Sequence, residues 1–367
     1  MWMLPSALGA FVFVTIVAAQ SNQIPLVSQL GDSQFENHKN LPGFDLNLDA
    51  LRLVQFSLDQ EPEWITERQK LAAKTMGFEY MDITETPSLG VTKKLQFSYP
   101  PPNSTFITGV FPYLSKVEAK ANLEHLTSYY TWYYNSGTGR ASSDDDQKSM
   151  ITVESVKHSW KQNSIIIRMR PVNASESDPI TILGAHIDSL NKENPYFGAP
   201  GAGDDSSGTV AILKAYRGLL LADYRPVSPL EFHFYAAEEG SLFGSQAIAS
   251  NYEATGKVVK GMKQFDMTVF HKAGTREQIA VIHNANQVNA ELTAYLILII
   301  ERHRRSFLSI KHVKEFYPGP PGPSSDHASW FKAGYQTCHS IKGAFKNAKP
   351  RKFIKLAVAF AIEMSNY

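Results

Sequence analysis

Short apolar runs alternate with amphipathic helical patterns along most of this chain of 367 residues. Apolar runs of strand length bounded by turn residues predict strands, whereas apolar positions three and four residues apart predict helices. The predicted strands are residues 151–160, 164–169, 179–184, 230–236 and 258–265. The predicted helices are residues 64–76, 116–134, 206–221, 244–252, 286–303 and 353–364. This alternation predicts an α/β fold, a three-layer sandwich in which helices cover both faces of a mixed, mostly parallel sheet.

The first 19 residues have the pattern of a secretory signal peptide. They contain no charged side chain, and an apolar run over residues 8–17 is followed by Ala18 and Ala19. A membrane anchor is the alternative, but this run is shorter than the stretch of about 20 residues that crosses a bilayer. We therefore expect a secreted, extracellular protein, in which Asn103 and Asn173 are candidate N-glycosylation sites.

Charge and cysteine content exclude several classes of protein. With 36 Lys and Arg against 35 Asp and Glu, the net charge of +1 gives no basic surface of the kind that a nucleic-acid backbone requires. The single cysteine, Cys338, excludes an intramolecular disulfide, a cysteine zinc site and a Cys-x-x-Cys redox motif. We expect neither a nucleic-acid partner nor a membrane partner.

The small net charge hides two parts of opposite charge. Residues 20–87 contain 11 acidic and 5 basic side chains, a net of −6, which leaves 31 basic and 24 acidic side chains, a net of +7, for the rest. One interpretation of residues 20–87 is an ordinary N-terminal subdomain. The more specific interpretation is an acidic pro-segment that docks on a basic mature domain and is later removed, as in a zymogen. On this hypothesis residues 20–87 are the pro-segment and residues 88–367 are the catalytic domain.

Side chains with metal-binding or acid–base chemistry follow three of the predicted strands. They are His186 and Asp188 after strand 179–184, Glu238 and Glu239 after strand 230–236, and Asp266 after strand 258–265. Asp204 lies in a glycine-rich turn that opens the next helix, and His327 follows a run of prolines and glycines. Ligand sites of open α/β sheets lie at the carboxyl ends of the strands. We therefore expect these side chains to meet at one edge of the sheet.

Burying so many ionisable groups without partners costs several kcal/mol for each group, and a bound cation removes that cost. The candidate ligands are two histidines and three carboxylates, namely His186, Asp204, Glu239, Asp266 and His327. A set without thiolates suits zinc, cobalt or manganese, and zinc is the default in a secreted protein. Five ligands are too many for one tetrahedral ion, so two ions bridged by a carboxylate fit better.

Six motifs, in this order along the chain, resemble those of the secreted fungal leucine aminopeptidases and their bacterial di-zinc aminopeptidase relatives. They are residues 184–189 (Gly-Ala-His-Ile-Asp-Ser), 200–208 (Pro-Gly-Ala-Gly-Asp-Asp-Ser-Ser-Gly), 235–240 (Tyr-Ala-Ala-Glu-Glu-Gly), 244–248 (Gly-Ser-Gln-Ala-Ile), 265–268 (Phe-Asp-Met-Thr) and 325–330 (Ser-Asp-His-Ala-Ser-Trp). The resemblance runs over residues 115–335, resumes at 355–364, and includes the fungal pro-segment pattern at 64–68 and 81–85. It implies the zinc exopeptidase fold and a monomeric metallo-aminopeptidase, a hydrolase of peptides with a free N-terminus.

The resemblance also implies a role for each site residue. Two zinc ions per subunit share Asp204, with His186 and Asp266 completing one site and Glu239 and His327 the other. Glu238 is the general base that takes a proton from the metal-bound water, and Asp188 holds the ring of His186. The peptide bond between Asp204 and Asp205 is expected to be cis, and the residue released is expected to be leucine or another apolar amino acid.

The sequence departs from the family pattern at two loops. The loop before Ser325 is rich in proline and glycine and has no cysteine, whereas the bacterial relatives carry a disulfide there. Near Pro350 the chain lacks a stretch that helps to form the substrate pocket in the family. Two alternatives therefore stay open: a catalytically impaired or silent secreted homologue, or a carboxypeptidase or glutaminyl-cyclase type of enzyme on the same fold.

Overall fold

A computed structural model describes residues 47–128, 133–134, 152–171, 175, 177–191, 197–268, 279–303, 313–317, 322–342 and 350–367. The predicted signal peptide over residues 1–19, the candidate glycosylation site Asn173 and most of the segment before Pro350 lie outside these residues. None of the helices in the described part of the chain is both long and apolar enough to span a membrane.

The N-terminal segment, residues 47–87, forms a small unit of its own secondary structure. Strands β1 (Leu51–Gln55), β2 (Glu63–Thr66) and β3 (Met81–Asp82) make an antiparallel sheet with β1 in the middle, and helix α1 (Glu67–Thr75) follows β2. The prediction of one helix over residues 64–76 is therefore wrong at its start. Thr66 has an extended backbone and forms a capping box with Gln69, so the helix begins only after it.

The main sheet has eight strands among the described residues. They are β4 (Thr152–Val156), β5 (Ser164–Met169), β6 (Ile180–His186), β7 (Leu230–Tyr235), β8 (Val259–Phe265), β9 (Ile279–Ile282), β10 (Val313–Tyr317) and β11 (Thr337–Lys342). Their order across the sheet is β10-β9-β11-β8-β6-β7-β5-β4. The central strand β6 is parallel to β7 and β8, and β11 is parallel to β8. The carboxyl ends of these four strands therefore lie at the same edge.

The remaining pairings make the sheet mixed, as predicted. Strands β9 and β10 are parallel, whereas β4 with β5, β5 with β7 and β9 with β11 are antiparallel. Strands β5, β6, β7 and β8 follow the predicted ones closely, and β4 ends at Val156, before the predicted end at residue 160. Strands β9, β10 and β11 are not among the predicted strands.

Helices cover both faces of this sheet, which confirms the three-layer architecture. They are α2 (Ile107–Val110), α3 (Lys116–Leu126), α4 (Ser206–Leu221), α5 (Phe243–Ala254), α6 (Ala290–His303), α7 (His327–Lys332) and α8 (Pro350–Ser365). Because neighbouring residues of a strand point to opposite faces, Leu183 of β6 packs with α4, α6 and α8, whereas Ile182 packs with α5 and α7. Helix α3 ends at Leu126, before the end of the helix predicted over residues 116–134, part of which lies outside the described residues.

Candidate metal centre

Five of the predicted site residues lie at or just after the carboxyl ends of β6, β7 and β8, as expected. His186 is the last residue of β6, and Asp266 directly follows β8. Glu238 and Glu239 follow β7 after a short turn in which Ala237 has a φ of 56°. A left-handed residue bends the chain sharply at the strand end, which allows the two carboxyl groups to turn back toward the sheet edge.

Three of the five predicted ligands form one compact group. One donor atom each from His186, Asp204 and Asp266 lies within 4.8 Å of the other two. The Nε2 atom of His186 is 3.1 Å from Oδ1 of Asp204 and 3.8 Å from Oδ1 of Asp266. It is also 4.0 Å from Oε2 of Glu238, so three carboxyl groups surround one imidazole nitrogen.

The two neighbouring aspartates of the glycine-rich turn have different environments. Asp205 is fully buried and caps α4, because its Oδ1 accepts hydrogen bonds from the backbone nitrogens of Gly208 at 2.8 Å and Met267 at 3.1 Å. The side chain of Asp204 is 32% exposed and faces His186. The peptide bond between them is cis, as the resemblance implies.

Gly208 allows the start of α4 to approach the end of β8. A Cβ atom at this position would lie 2.2 Å from the carbonyl oxygen of Phe265 and 2.4 Å from the carboxyl group of Asp205. Neither neighbour can move easily, because one is strand backbone and the other caps the helix. This close contact keeps the turn that carries Asp204 beside Asp266.

Asp188 connects two strand ends. Its Oδ1 lies 3.3 Å from Nδ1 of His186 and accepts a hydrogen bond of 2.9 Å from the backbone nitrogen of Glu238. Its Oδ2 accepts a hydrogen bond of 3.0 Å from the backbone nitrogen of Glu239. Nδ1 of His186 also lies 3.1 Å from the backbone oxygen of Asp188, so the carbonyl and carboxyl groups of Asp188 together orient the ring of His186. The fully buried carboxyl group fixes the turn after β7 as well.

The electrostatics of this group favour a cation. Burial alone would lower the pKa of His186, but Glu238 and the carboxyl groups of Asp188, Asp204 and Asp266 raise it well above its usual range. Burial raises the pKa of Glu238, since the charged form loses its hydration. Oδ1 of Asp266 is buried without a hydrogen-bond partner among the described residues, while its Oδ2 accepts from Ser325 Oγ at 2.7 Å. An acceptor left open inside a cluster of carboxyl groups fits a metal ion.

The other two predicted ligands are not part of that group. Oε2 of Glu239 is 3.7 Å from Nζ of Lys74, a residue of α1 in the N-terminal segment. His327 begins α7, is fully buried, and has no hydrogen-bond partner at either ring nitrogen among the described residues. Burial lowers the pKa of His327 to about 3, which keeps the ring in the neutral form that binds metals.

Sequence reasoning missed two side chains that contact the candidate ligands. Lys74 contacts Glu239, and the ring of His339 in β11 lies 4.4 Å from the ring of His327, measured between centroids. Neither has a local signal in the sequence, since Lys74 ends an ordinary helix and β11 shows no regular apolar pattern. His233, by contrast, is a packed residue with hydrogen-bond distances to Glu231 of 2.7 Å and to Tyr235 of 3.1 Å.

The chain is similar in sequence to known peptidases. Residues 164–352 match the model of peptidase family M28. A leucine aminopeptidase 1 from Fusarium vanettenii is 36% identical over 330 residues, covering 83% of this chain and 81% of the relative. Proteins of the same name from Trichoderma harzianum and Sclerotinia sclerotiorum are 36% and 34% identical and cover 92% and 89% of this chain and 87% and 89% of the relatives.

Solved structures agree on the fold. The LapA aminopeptidase of Legionella pneumophila superposes with a TM-score of 0.70 at 21% identity, over 87% of this chain and 99% of LapA. LapB of the same organism gives a TM-score of 0.68 at 19% identity, over 86% of this chain and 99% of LapB. A zinc exopeptidase type of α/β fold with a metal-binding cluster at its sheet edge is the class of protein that these features define. The chain belongs to peptidase family M28, which confirms the family resemblance seen in its motifs.

Proposed function

We propose that this protein is a secreted, zinc-dependent aminopeptidase that releases N-terminal residues from peptides. The observation that carries the proposal is the group formed by His186, Asp204 and Asp266, which stands at the sheet edge of an M28 peptidase fold. The names of the fungal relatives support an aminopeptidase activity and a preference for leucine or another apolar residue. The predicted signal peptide supports secretion.

The residues of the site would hold two zinc ions, with Asp204 as a ligand of both. His186 and Asp266 would complete the first set of ligands, and Glu239 and His327 the second. Oδ1 of Asp266 and both ring nitrogens of His327 have no hydrogen-bond partner among the described residues, which supports this assignment. When bound, zinc polarises the scissile carbonyl group and makes a water molecule acidic enough to attack it near neutral pH.

Glu238 is the proposed general base. Its carboxyl group lies beside the cluster, with Oε2 4.0 Å from Nε2 of His186, and it is not needed as a ligand. Its raised pKa suits a group that accepts a proton from the attacking water and returns it to the leaving amine. Asp188 supports this role, because its hydrogen bonds hold the backbone of Glu238 and Glu239 in place.

Residues 20–87 are the proposed pro-segment, and residues 88–367 the proposed catalytic domain. The described part of the segment packs on the loop that carries Glu239 and on the start of α7, which carries His327. Met81 and Ile83 form an apolar cluster with Leu242, three residues after Glu239, and with Ala328, the residue after His327. Lys70 lies 3.5 Å from the carbonyl oxygen of Gly240 and contacts the ring of Phe243. A segment in this place blocks access to the site until it is removed.

The substrate class can be tested with paired compounds. The protein expressed with its N-terminal segment removed is expected to hydrolyse leucine p-nitroanilide and not the N-acetylated compound. Hydrolysis of the blocked compound at a similar rate would contradict an aminopeptidase and favour another reaction on the same fold. Comparing leucine with alanine, phenylalanine, lysine and glutamate p-nitroanilides then measures the side-chain preference.

A catalytically silent homologue is distinguished from an active enzyme by its zinc content as well as by its rate of p-nitroanilide hydrolysis. The proposed function predicts two zinc ions per chain in protein purified without chelators. Protein that is folded, binds no zinc and hydrolyses neither compound would favour the silent alternative.

A further inference from the structure

His339 lies on the same face of the sheet as His327 and at the same edge as the metal centre. In the parallel pairing of β11 with β8, His339 stands opposite Gln264, two residues before Asp266. The side chain of Gln264 donates hydrogen bonds to Ser325 Oγ at 3.1 Å and to Asp326 Oδ2 at 2.8 Å. The chain that leads into His327 is therefore held over the part of the sheet from which His339 projects.

The two imidazole rings face each other inside the protein. Their centroids are 4.4 Å apart with an angle of 42° between the ring planes, and His339 is only 3% exposed. None of their four ring nitrogens has a hydrogen-bond partner among the described residues. A neutral imidazole offers one donor and one acceptor, and buried polar atoms of native proteins nearly always have partners.

The neighbouring charged side chain does not supply the missing partners. Lys263 precedes Gln264 in β8 and points to the opposite face of the sheet, where its Nζ donates a hydrogen bond of 2.6 Å to Ser340 Oγ. Cys338 is likewise on that opposite face, in the core formed with α4, α6 and α8. His327 and His339 are therefore left facing each other.

We propose that His339 is an additional nitrogen ligand of the metal ion that His327 binds. The inference rests on the proposed function, which makes His327 a ligand. Since Zn–N bonds are about 2.0–2.1 Å, two nitrogens on one ion lie within about 4.2 Å of each other. The ring centroids of His327 and His339 are 4.4 Å apart, which places both side chains within reach of one ion. A shared ion gives each ring a partner for one nitrogen. The metal ion that Glu239, Asp204 and His327 are proposed to bind then has a second imidazole ligand.

Substitution of His339 tests the proposal through metal binding. The variants are His339→Phe, which keeps a ring of similar shape without nitrogens, and His339→Gln. His233→Gln is the matched control, because it removes another buried histidine from strand β7 of the same sheet, at a position that hydrogen bonds to Glu231. Zinc affinity of the chelator-treated full chain is measured in competition with a chromophoric chelator, and folding is checked by thermal unfolding.

The wild type and His233→Gln are each expected to bind two zinc ions, and the affinity of each site is expected to be the same in both proteins. In His339→Phe, one of the two zinc sites is expected to lose affinity by a factor on the order of 10 to 100, and the affinity of the other site is expected to be unchanged. Two unchanged affinities in folded His339→Phe would overturn the proposal. If the wild type itself binds no zinc, the proposed function fails, and this inference fails with it.

A measurement on the wild type alone covers the case in which the variants do not fold. In the cobalt-substituted protein, each histidine ligand gives one strongly shifted, exchangeable imidazole N–H proton signal in the NMR spectrum. The proposal predicts three such signals, from His186, His327 and His339. Two signals in protein that binds two cobalt ions would contradict it and leave the proposed function intact.

Discussion

The Nζ atom of Lys74 lies 3.7 Å from Oε2 of Glu239, so a lysine of the N-terminal segment contacts a proposed zinc ligand. The side chains are 11% and 3% exposed, and Lys74 also pairs with Glu79 at 3.1 Å. Burial alone would lower the pKa of Lys74, but Glu239 and Glu79 raise it well above its usual range, so the amine is charged. The segment thus places a positive charge where a metal ion is proposed to bind.

Removing that charge is expected to strengthen zinc binding in the uncleaved protein. An ion pair with partial burial is worth about 1–2 kcal/mol, so Lys74→Met is predicted to raise the affinity of one zinc site by a factor on the order of ten. Lys94→Met is the control, because Lys94 pairs with Glu253 away from the site. Equal zinc affinities for Lys74→Met and the wild type would mean that Lys74 does not compete with the ion.

Substitutions of Glu238 and Asp204 are predicted to have different effects on zinc content and turnover. Glu238→Gln is expected to keep both proposed zinc ions but to lose a factor of about 10²–10⁴ in kcat, because the proposed general base is gone. Asp204→Asn is expected to lose zinc, because it removes the carboxyl group that is proposed to bind both ions. Zinc content and the rate of leucine p-nitroanilide hydrolysis are measured on the same samples. Wild-type turnover in Glu238→Gln would show that another group is the base.

Asp188→Asn tests the connection between the ends of β6 and β7. The amide nitrogen of Asn cannot accept the hydrogen bond from Glu238 or Glu239 that the lost oxygen accepted, so one backbone donor is left unpartnered. Zinc affinity or kcat is expected to fall by about 10- to 100-fold. Asp223→Asn, at an exposed surface position, is the control and should match the wild type. No change in either quantity would mean that the ring of His186 is held by other contacts.

The Glu231 network predicts a pH dependence of stability that is separate from the metal. Burial alone would raise the pKa of Glu231, but His233 and Arg168 lower it to about 2. Its contribution to the free energy of unfolding is therefore complete above about pH 4.5 and is lost as the pH falls toward 2. The shift of this pKa from the ordinary value of 4.5 to about 2 corresponds to roughly 3 kcal/mol.

Glu231→Gln is thus expected to be roughly 3 kcal/mol less stable than the wild type at pH 7, with a difference that shrinks below pH 4.5. Urea unfolding of chelator-treated protein between pH 7 and pH 3 measures it. Glu154→Gln, which removes the half-exposed partner of Arg168, should cost less than 1 kcal/mol. A difference for Glu231→Gln that does not depend on pH would contradict the lowered pKa.

The elements that carry the site could be predicted because they satisfy local rules. Helix α4 has the predicted bounds, since Asp205 caps it and apolar residues repeat along one face. Strands β6, β7 and β8 are apolar runs ended by turns, and their parallel order brings His186 and Asp266 together. The resemblance to the fungal leucine aminopeptidases and a metallo-aminopeptidase, both expected from the motifs, are confirmed by the comparisons, which place the chain in peptidase family M28.

Features that depend on tertiary packing could not be predicted. Strand β11 contains Thr337, Cys338, His339 and Ser340 in a row without a periodic apolar pattern, and it is a strand because β8 and β9 pair with it on either side. The contact of Lys74 with Glu239 joins residues far apart in the sequence. The individual roles of the site residues, the pro-segment boundary at residue 87 and the shortened loop near Pro350 stay predictions.

Zinc-dependent hydrolysis at a free N-terminus is the most direct test of the proposed function. Protein lacking residues 1–87 is stripped with a chelator and assayed on leucine p-nitroanilide before and after stepwise addition of zinc. Activity is expected to be absent in the stripped protein and to be restored by at most two equivalents of zinc, with the N-acetylated compound untouched throughout. Full activity in protein shown to be free of metal would contradict a zinc aminopeptidase.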